Sequence, residues 1–242
     1  MQLVRDVQDL LIASPDVRAL MAFAPFDSFD TLAGALFSSV TGNAALGRIV
    51  ASVYAANPAL VEISTYDIAE TTRRNFEPGG APATLLFSRG VQAIMAHRIA
   101  HKLWLDGNQN LALAIKACCG RAFGTDIHRA ARIGAGLWLD HGLGFVVGET
   151  SVIDEDVSIW HNVTLGSTLN DKGPFRYPHV GRDAVIGAGA VLLGGIKIGV
   201  GVNIGAGAIV VADVADGSLI VGHKAQARGP ARISFTKPDL TK

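Results

Sequence analysis

Three stretches decide the fold: DIHRAARIGAGLWLD at residues 126–140, VVGETSVIDEDVSIWHNVTLG at 146–166, and VGRDAVIGAGAVLLGGIKIGVGVNIGAGAIV at 180–210. A large aliphatic residue returns in them every six positions: Ile127, Ile133 and Leu139, then Val147, Ile153, Ile159 and Leu165, then Val180, Ile186, Leu192, Ile198, Ile204 and Val210. The residue that follows is usually small or acidic, as at Gly134, Asp140, Gly148, Asp154, Gly166 and Gly187. A helix repeats at 3.6 residues and a strand at 2, so neither alone gives a return of six. The period is that of a hexapeptide β-helix. Six residues form one short strand and one corner, three such units complete a coil, and the aliphatic residue points inward. Glycine permits the tight corner. Chance Ile-Gly pairs do not account for thirteen matched positions.

The period breaks twice. Leu139 and Val147 are eight apart, so two extra residues fall within Asp140-His141-Gly142-Leu143-Gly144-Phe145. Leu165 and Val180 are fifteen apart, so nine residues leave the coil as a loop around Thr168 to Tyr177. A solenoid stacks identical coils unless something is inserted, and insertions collect where binding happens. Polar residues at these breaks are therefore the first candidates for chemistry.

The 242 residues suffice for one large domain or two modest ones, and 49% hydrophobic composition can fill a core. Twenty-one basic residues balance twenty-one acidic ones. Such a balance gives no global field to recruit nucleic acid or an anionic membrane. No apolar run reaches transmembrane length, and Met1 to Asp9 lacks a signal-peptide layout. The only cysteines, Cys118 and Cys119, are adjacent and read as helix packing residues in a reducing compartment. These features predict a soluble, cytoplasmic protein.

Residues 1–125 lack the hexad and read as an α-helical domain, with 126–242 as the β-helix domain and a short tail. Helices are predicted over Val4 to Leu11, from Pro15 onward, and over Phe29 to Val40, Ala44 to Ala56, Ile63 to Arg74, Gly90 to Leu105 and Asn110 to Phe123. Asn75 to Pro82 is rich in Pro and Gly and cannot continue a helix. Such helices can cap the open first coil and provide oligomer contacts. His97 and His101 lie four apart, as in helical zinc sites, but Arg98 stands where a zinc protease has glutamate. They read as a polar helix face.

Asp126 precedes Asp140 by fourteen residues and His141 by fifteen. In a coil of about eighteen residues such positions return close in space, one layer up. A carboxylate that accepts from one imidazole nitrogen makes the other a better base. Glu149 follows in Gly148-Glu149-Thr150, and His161 sits on a corner as a groove-lining or solvated residue. In the inserted loop Arg176 can clamp a carboxylate bidentately. Small residues such as Ala188 and Ala206 let an extended ligand lie against the backbone, and Lys224 can meet a phosphate.

From about Leu85 to Ile233 the chain resembles serine O-acetyltransferase, within the hexapeptide-repeat acyltransferases. The resemblance is densest at Asp126-Ile127-His128, Leu139-Asp140-His141, Val146 to Thr150 and Asn162 to Gly166. It implies an α+β chain whose N-terminal helical domain precedes a left-handed parallel β-helix, assembled as a trimer or a dimer of trimers. It implies acetyl transfer from acetyl-CoA to L-serine in cysteine biosynthesis, with no metal. By the same resemblance, His141 is the general base and Asp126 orients it. Asp140 holds the amino group and Arg176 the carboxylate, with Tyr177, Glu77 and Glu149 in the substrate-binding set. Ser167, Thr168, Ala188, Ala206 and Lys224 line the acetyl-CoA cleft.

Three positions depart from the family pattern. Tyr177 replaces a histidine after the loop arginine, in a loop one residue longer. Glu77-Pro78 stands near a family Asp-Pro, with Asn75 at the ungapped position. The chain ends Leu240-Thr241-Lys242 rather than in the isoleucine that plugs O-acetylserine sulfhydrylase, so no stable complex with that enzyme is expected. The altered loop leaves open another acceptor, such as homoserine. Two other classes share the fold or its surface. A γ-carbonic-anhydrase-like zinc enzyme needs two histidines five apart, a spacing absent here. A non-catalytic scaffold does not explain Asp126, Asp140 and His141 together.

Overall fold

The computed structural model describes residues 1–74, 78–168, 170, 173–227 and 229. Glu77, Asn75 and the C-terminal residues Leu240, Thr241 and Lys242 lie outside them. Eight helices come first: α1 (Gln2–Ala13), α2 (Pro15–Met21), α3 (Phe29–Thr41), α4 (Ala44–Ala56), α5 (Pro58–Arg74), α6 (Gly80–Phe87), α7 (Arg89–Leu105) and α8 (Gln109–Phe123). Their starts follow local chemistry. Asn43 accepts a hydrogen bond from the Leu46 N–H at 3.1 Å, and Ser28 and Thr31 form a reciprocal capping box. In the α3–α4 hairpin a methyl at Gly34 would lie 2.8 Å from the Gly47 carbonyl oxygen, so the close crossing requires glycine.

Two helix expectations change. α5 begins at Pro58, a residue suited to a first turn, rather than at Ile63. α6 was not expected; its proline, Pro82, falls in the first turn, where no intrahelical N–H is needed, and Thr84, Leu85 and Leu86 are buried.

Short parallel strands follow: β1 (Asp126–Ile127), β2 (Arg132–Ile133), β3 (Trp138–Leu139), β4 (Val146–Val147), β5 (Val152–Ile153), β6 (Ser158–Ile159), β7 (Thr164–Gly166), β8 (His179–Val180), β9 (Val185–Ile186), β10 (Val191–Leu193), β11 (Lys197–Ile198), β12 (Asn203–Ile204), β13 (Ile209–Val210) and β14 (Leu219–Ile220). They stack into three faces: β1-β4-β7-β10-β13, β11-β8-β5-β2 and β14-β12-β9-β6-β3. This is a left-handed parallel β-helix. Every hexad aliphatic is buried except Ile133, which is half-buried in the first coil. The inserted corner lengthens that first coil: Asp126 pairs with Val146, twenty residues on, whereas Val146 pairs with Thr164, eighteen on. No single helix among the described residues is long and apolar enough to cross a membrane.

The helices are fastened to the first coil by buried polar groups. Arg98 forms an ion pair with Asp67, donating to Oδ1 at 2.9 Å, and also donates to the carbonyls of Ile133 and Gly134 at 3.1 and 2.8 Å. The Gly136 N–H donates to Asp67 at 2.8 Å. Burial pushes the Asp67 carboxyl upward even against Arg98. Higher up, Arg74 bridges Glu70 and Asp156, and the Tyr66 hydroxyl donates to Asp156 at 3.2 Å. The reading of His97 to His101 as a polar face is therefore corrected. His97 and Arg98 are 5% and 6% exposed, because α7 is enclosed by neighbouring helices and the solenoid and has no solvent side there. Cys119 is buried as packing, its thiol pushed up to about 12 by that burial.

Candidate active site

The corner between the third and first faces carries Asp140 and His141. Here the two inserted residues force an unusual backbone: His141 has φ 59°, followed by Gly142 at 75° and Gly144 at 68°. The left-handed region costs a non-glycine residue roughly 1–2 kcal/mol, so the surrounding structure holds His141 there. What holds it is the N-terminus of α7. A methyl at Gly90 would lie 1.8 Å from the Leu139 carbonyl oxygen, so only glycine lets the helix seat against this corner. His141 Nε2 lies 3.3 Å from Asp140 Oδ2, with the imidazole 66% exposed and the carboxylate 22% exposed.

Both residues open onto a cavity of about 860 Å³ between solenoid and helices. Thr84, Leu86 and Phe87 of α6 line it, as do Ser88, Arg89 and Gln92 at the start of α7. The Gln92 side-chain amide donates to the carbonyls of Leu85 and Leu86 at 3.2 and 2.9 Å, fixing that wall. α6, the helix not foreseen from sequence, thus builds one side of the pocket.

The register Leu139–Ile159 places His161 one coil above His141, and Ile159–Ile186–Ile204 continues the column to Ala188 and Ala206. The two rings are 5.4 Å apart between centroids. His161 is therefore part of this corner. The signal was present: both histidines stand two residues after the third hexad aliphatic of their coil. The column ends in small side chains, which leaves the groove above the histidines open.

Arg176, Tyr177 and Glu149 lie elsewhere, at the corner between the first and second faces, together with Ser167 and Thr168. Arg176 donates to Glu149 at 3.0 Å, and its backbone N–H donates to Thr150 Oγ1 at 3.0 Å. Its guanidinium stacks 5.6 Å from the Tyr177 ring centroid. Tyr177 in turn lies against Gly148, where a methyl would meet the ring at 1.7 Å. One whole face separates this group from His141, a width of roughly 15–20 Å for six extended residues. A single chain does not bring the two corners together. Lys224 is exposed in the segment after β14.

Asp126 has a different partner from the one expected. Its carboxylate pairs with Lys116 of α8, a residue the sequence reading did not single out. With a first coil of twenty residues, Val146 rather than His141 stacks on Asp126. Within the chain, the carboxylate touching the His141 imidazole is that of Asp140.

No protein-family model matches the chain. Individual relatives do. A putative serine acetyltransferase of Schizosaccharomyces pombe is 43% identical over 162 residues, 66% of this chain and 60% of that protein. The chain thus spans less than two thirds of that relative's length. The serine acetyltransferase of Escherichia coli K12 is 40% identical over 211 residues, 87% of this chain and 74% of that one. This chain belongs to the serine acetyltransferase family. Its fold agrees throughout: a Brucella abortus serine acetyltransferase structure in complex with coenzyme A superposes with a TM-score of 0.83 at 31% identity, covering 94% of this chain and 93% of that one.

Proposed function

We propose that the protein transfers the acetyl group of acetyl-CoA to the hydroxyl of L-serine, giving O-acetylserine for cysteine biosynthesis. One observation carries this reading: an exposed imidazole, paired with a carboxylate, faces a cavity of about 860 Å³ at the foot of an open groove. His141 takes the proton of the serine Oγ as that oxygen attacks the thioester carbonyl carbon. The tetrahedral intermediate collapses, the C–S bond breaks, and the imidazolium returns its proton to the departing CoA sulfur. Histidine suits both transfers because it titrates nearest neutrality. Asp140 receives the substrate ammonium beside the base. Asp126 is assigned the orientation of His141 once Lys116 is drawn away, and Ala188 and Ala206 leave room for the acetyl-CoA arm.

The substrate carboxylate falls to Arg176, which we place in the site from a second copy. The outward residues Val146, Thr164, Val191 and Ile209 form a largely apolar column on the face between the two half-sites. A head-to-tail contact over this face, closing as a ring, joins the His141 corner of one chain to the Arg176 corner of the next.

The test is CoA release from acetyl-CoA with L-serine, run beside L-homoserine and with the His141→Ala variant. Serine-dependent release that falls by about 10²–10⁴ in the variant is expected. Release with homoserine alone would move the acceptor, and equal release from the variant would remove His141 as the base.

A further inference from the structure

Acetyl transfer leaves one residue of the corner unused. His161 packs against His141 with the ring planes tilted by 58°, and one ligand atom from each of Asp140, His141 and His161 lies within 4.8 Å of the other two. His161 Nδ1 is buried and has no hydrogen-bond partner among the described residues. A buried polar atom without a partner is unfavourable, so the position favours a group that binds it. Two imidazoles and one carboxylate are the donor set of three-ligand zinc sites, whose fourth position stays open. Tetrahedral coordination at about 2.0–2.1 Å sets donors roughly 3.3 Å apart. Closing to that spacing falls first to rotation of His141, whose side chain is 66% exposed.

We propose that Asp140, His141 and His161 bind a divalent transition-metal ion, best matched by Zn²⁺, and that its binding inhibits the enzyme. The second half rests on the proposed reaction: the metal takes the imidazole lone pair that accepts the serine proton, and it also takes the carboxylate assigned to the ammonium group. The ion is therefore an inhibitor competing with substrate, not a cofactor of the transfer.

The probe is Co²⁺, added to the chelator-treated full chain, because its visible absorption reports four-coordinate binding. The expected result is one Co²⁺ per chain, displaced by Zn²⁺. His141→Gln and His161→Gln should each weaken binding by at least the roughly 10–100-fold that loss of even an outer partner produces. The exposed His141 variant does not depend on repacking, and His223→Gln, outside the corner, should bind as wild type does. Absence of the band, or its retention in both corner variants, would overturn the site. Zn²⁺ occupancy and loss of CoA release should then rise together; full activity at full occupancy would overturn the inhibition. Binding intact in a protein that releases no CoA when metal-free rejects the acetyl-transfer reading and leaves the site standing.

Discussion

Arg176 is held ready by its neighbours: Glu149 takes one end of the guanidinium, Tyr177 lies beneath it, and Gly148 leaves space for the tyrosine ring. The ion pair with Glu149 is 42% and 50% exposed, so it contributes little to stability and can open. An incoming carboxylate competes for the same fork of donors. Lysine keeps the charge but loses the planar fork and the stacking. Arg176→Lys should therefore raise the serine KM by about 10–100-fold, the value of a charged hydrogen bond, with the acetyl-CoA KM nearly unchanged. Steady-state kinetics with each substrate varied in turn decide it, and an equal rise in both KM values would place Arg176 outside the acceptor site. The polar residues at both breaks of the hexad were legible because an insertion into a strict repeat is visible in one sequence. The Lys116–Asp126 pair and the Asp140–His141 contact were not, since the first depends on how α8 packs against β1 and the second on the left-handed backbone of one corner.

Among the elements, α7 shows why some of the sequence misled. A period of six names the inward residue of each repeat as far as Val210, which is enough to place β1 to β13; β14 (Leu219–Ile220) lies beyond the last hexad position and was not expected. α7 is enclosed along most of its length, so its buried residues run from Gly90 to Ala100 without a periodic gap, and no periodicity marks His97 as buried. Burial, reinforced by stacked His101, holds the His97 imidazole well below its ordinary value of 6.5. Below pH 6.5 the unfolded chain therefore binds a proton that the folded chain refuses. Stability is fully present above 6.5 and is lost as pH falls, by up to about 1.4 kcal/mol per unit until the folded group titrates. His128, lowered by its own burial and by Arg129, adds a term of the same sign. Thermal midpoints at about pH 7.5 and about pH 5.5 should separate clearly in wild type and less in His97→Gln. Equal separation in both would assign the acid sensitivity to other groups.

At the scale of the whole molecule, the decisive feature is that the His141 corner and the Arg176 corner, the two proposed halves of a site, stand at different corners of one prism. The helices do not relieve this, because Arg98 and Asp67 bind Ile133, Gly134 and Gly136 of the first coil and Arg74 binds Asp156 of the second, all on the side away from the inserted loop. If Arg176 serves His141 of a neighbour, two defective chains should repair each other. His141→Ala lacks the base and keeps the clamp, whereas Arg176→Ala keeps the base and lacks the clamp. Dissociated, mixed in equal amounts and reassembled, they form rings in which about a quarter of the junctions combine an intact His141 corner with an intact Arg176 corner, one half multiplied by one half. Activity should return to about a quarter of wild type, well above either parent. A site contained within one chain has no intact combination to form, and mixing would then give only the mean of the two parents. The comparison needs no structure of the assembly, because recovered turnover counts the junctions that a second copy completes.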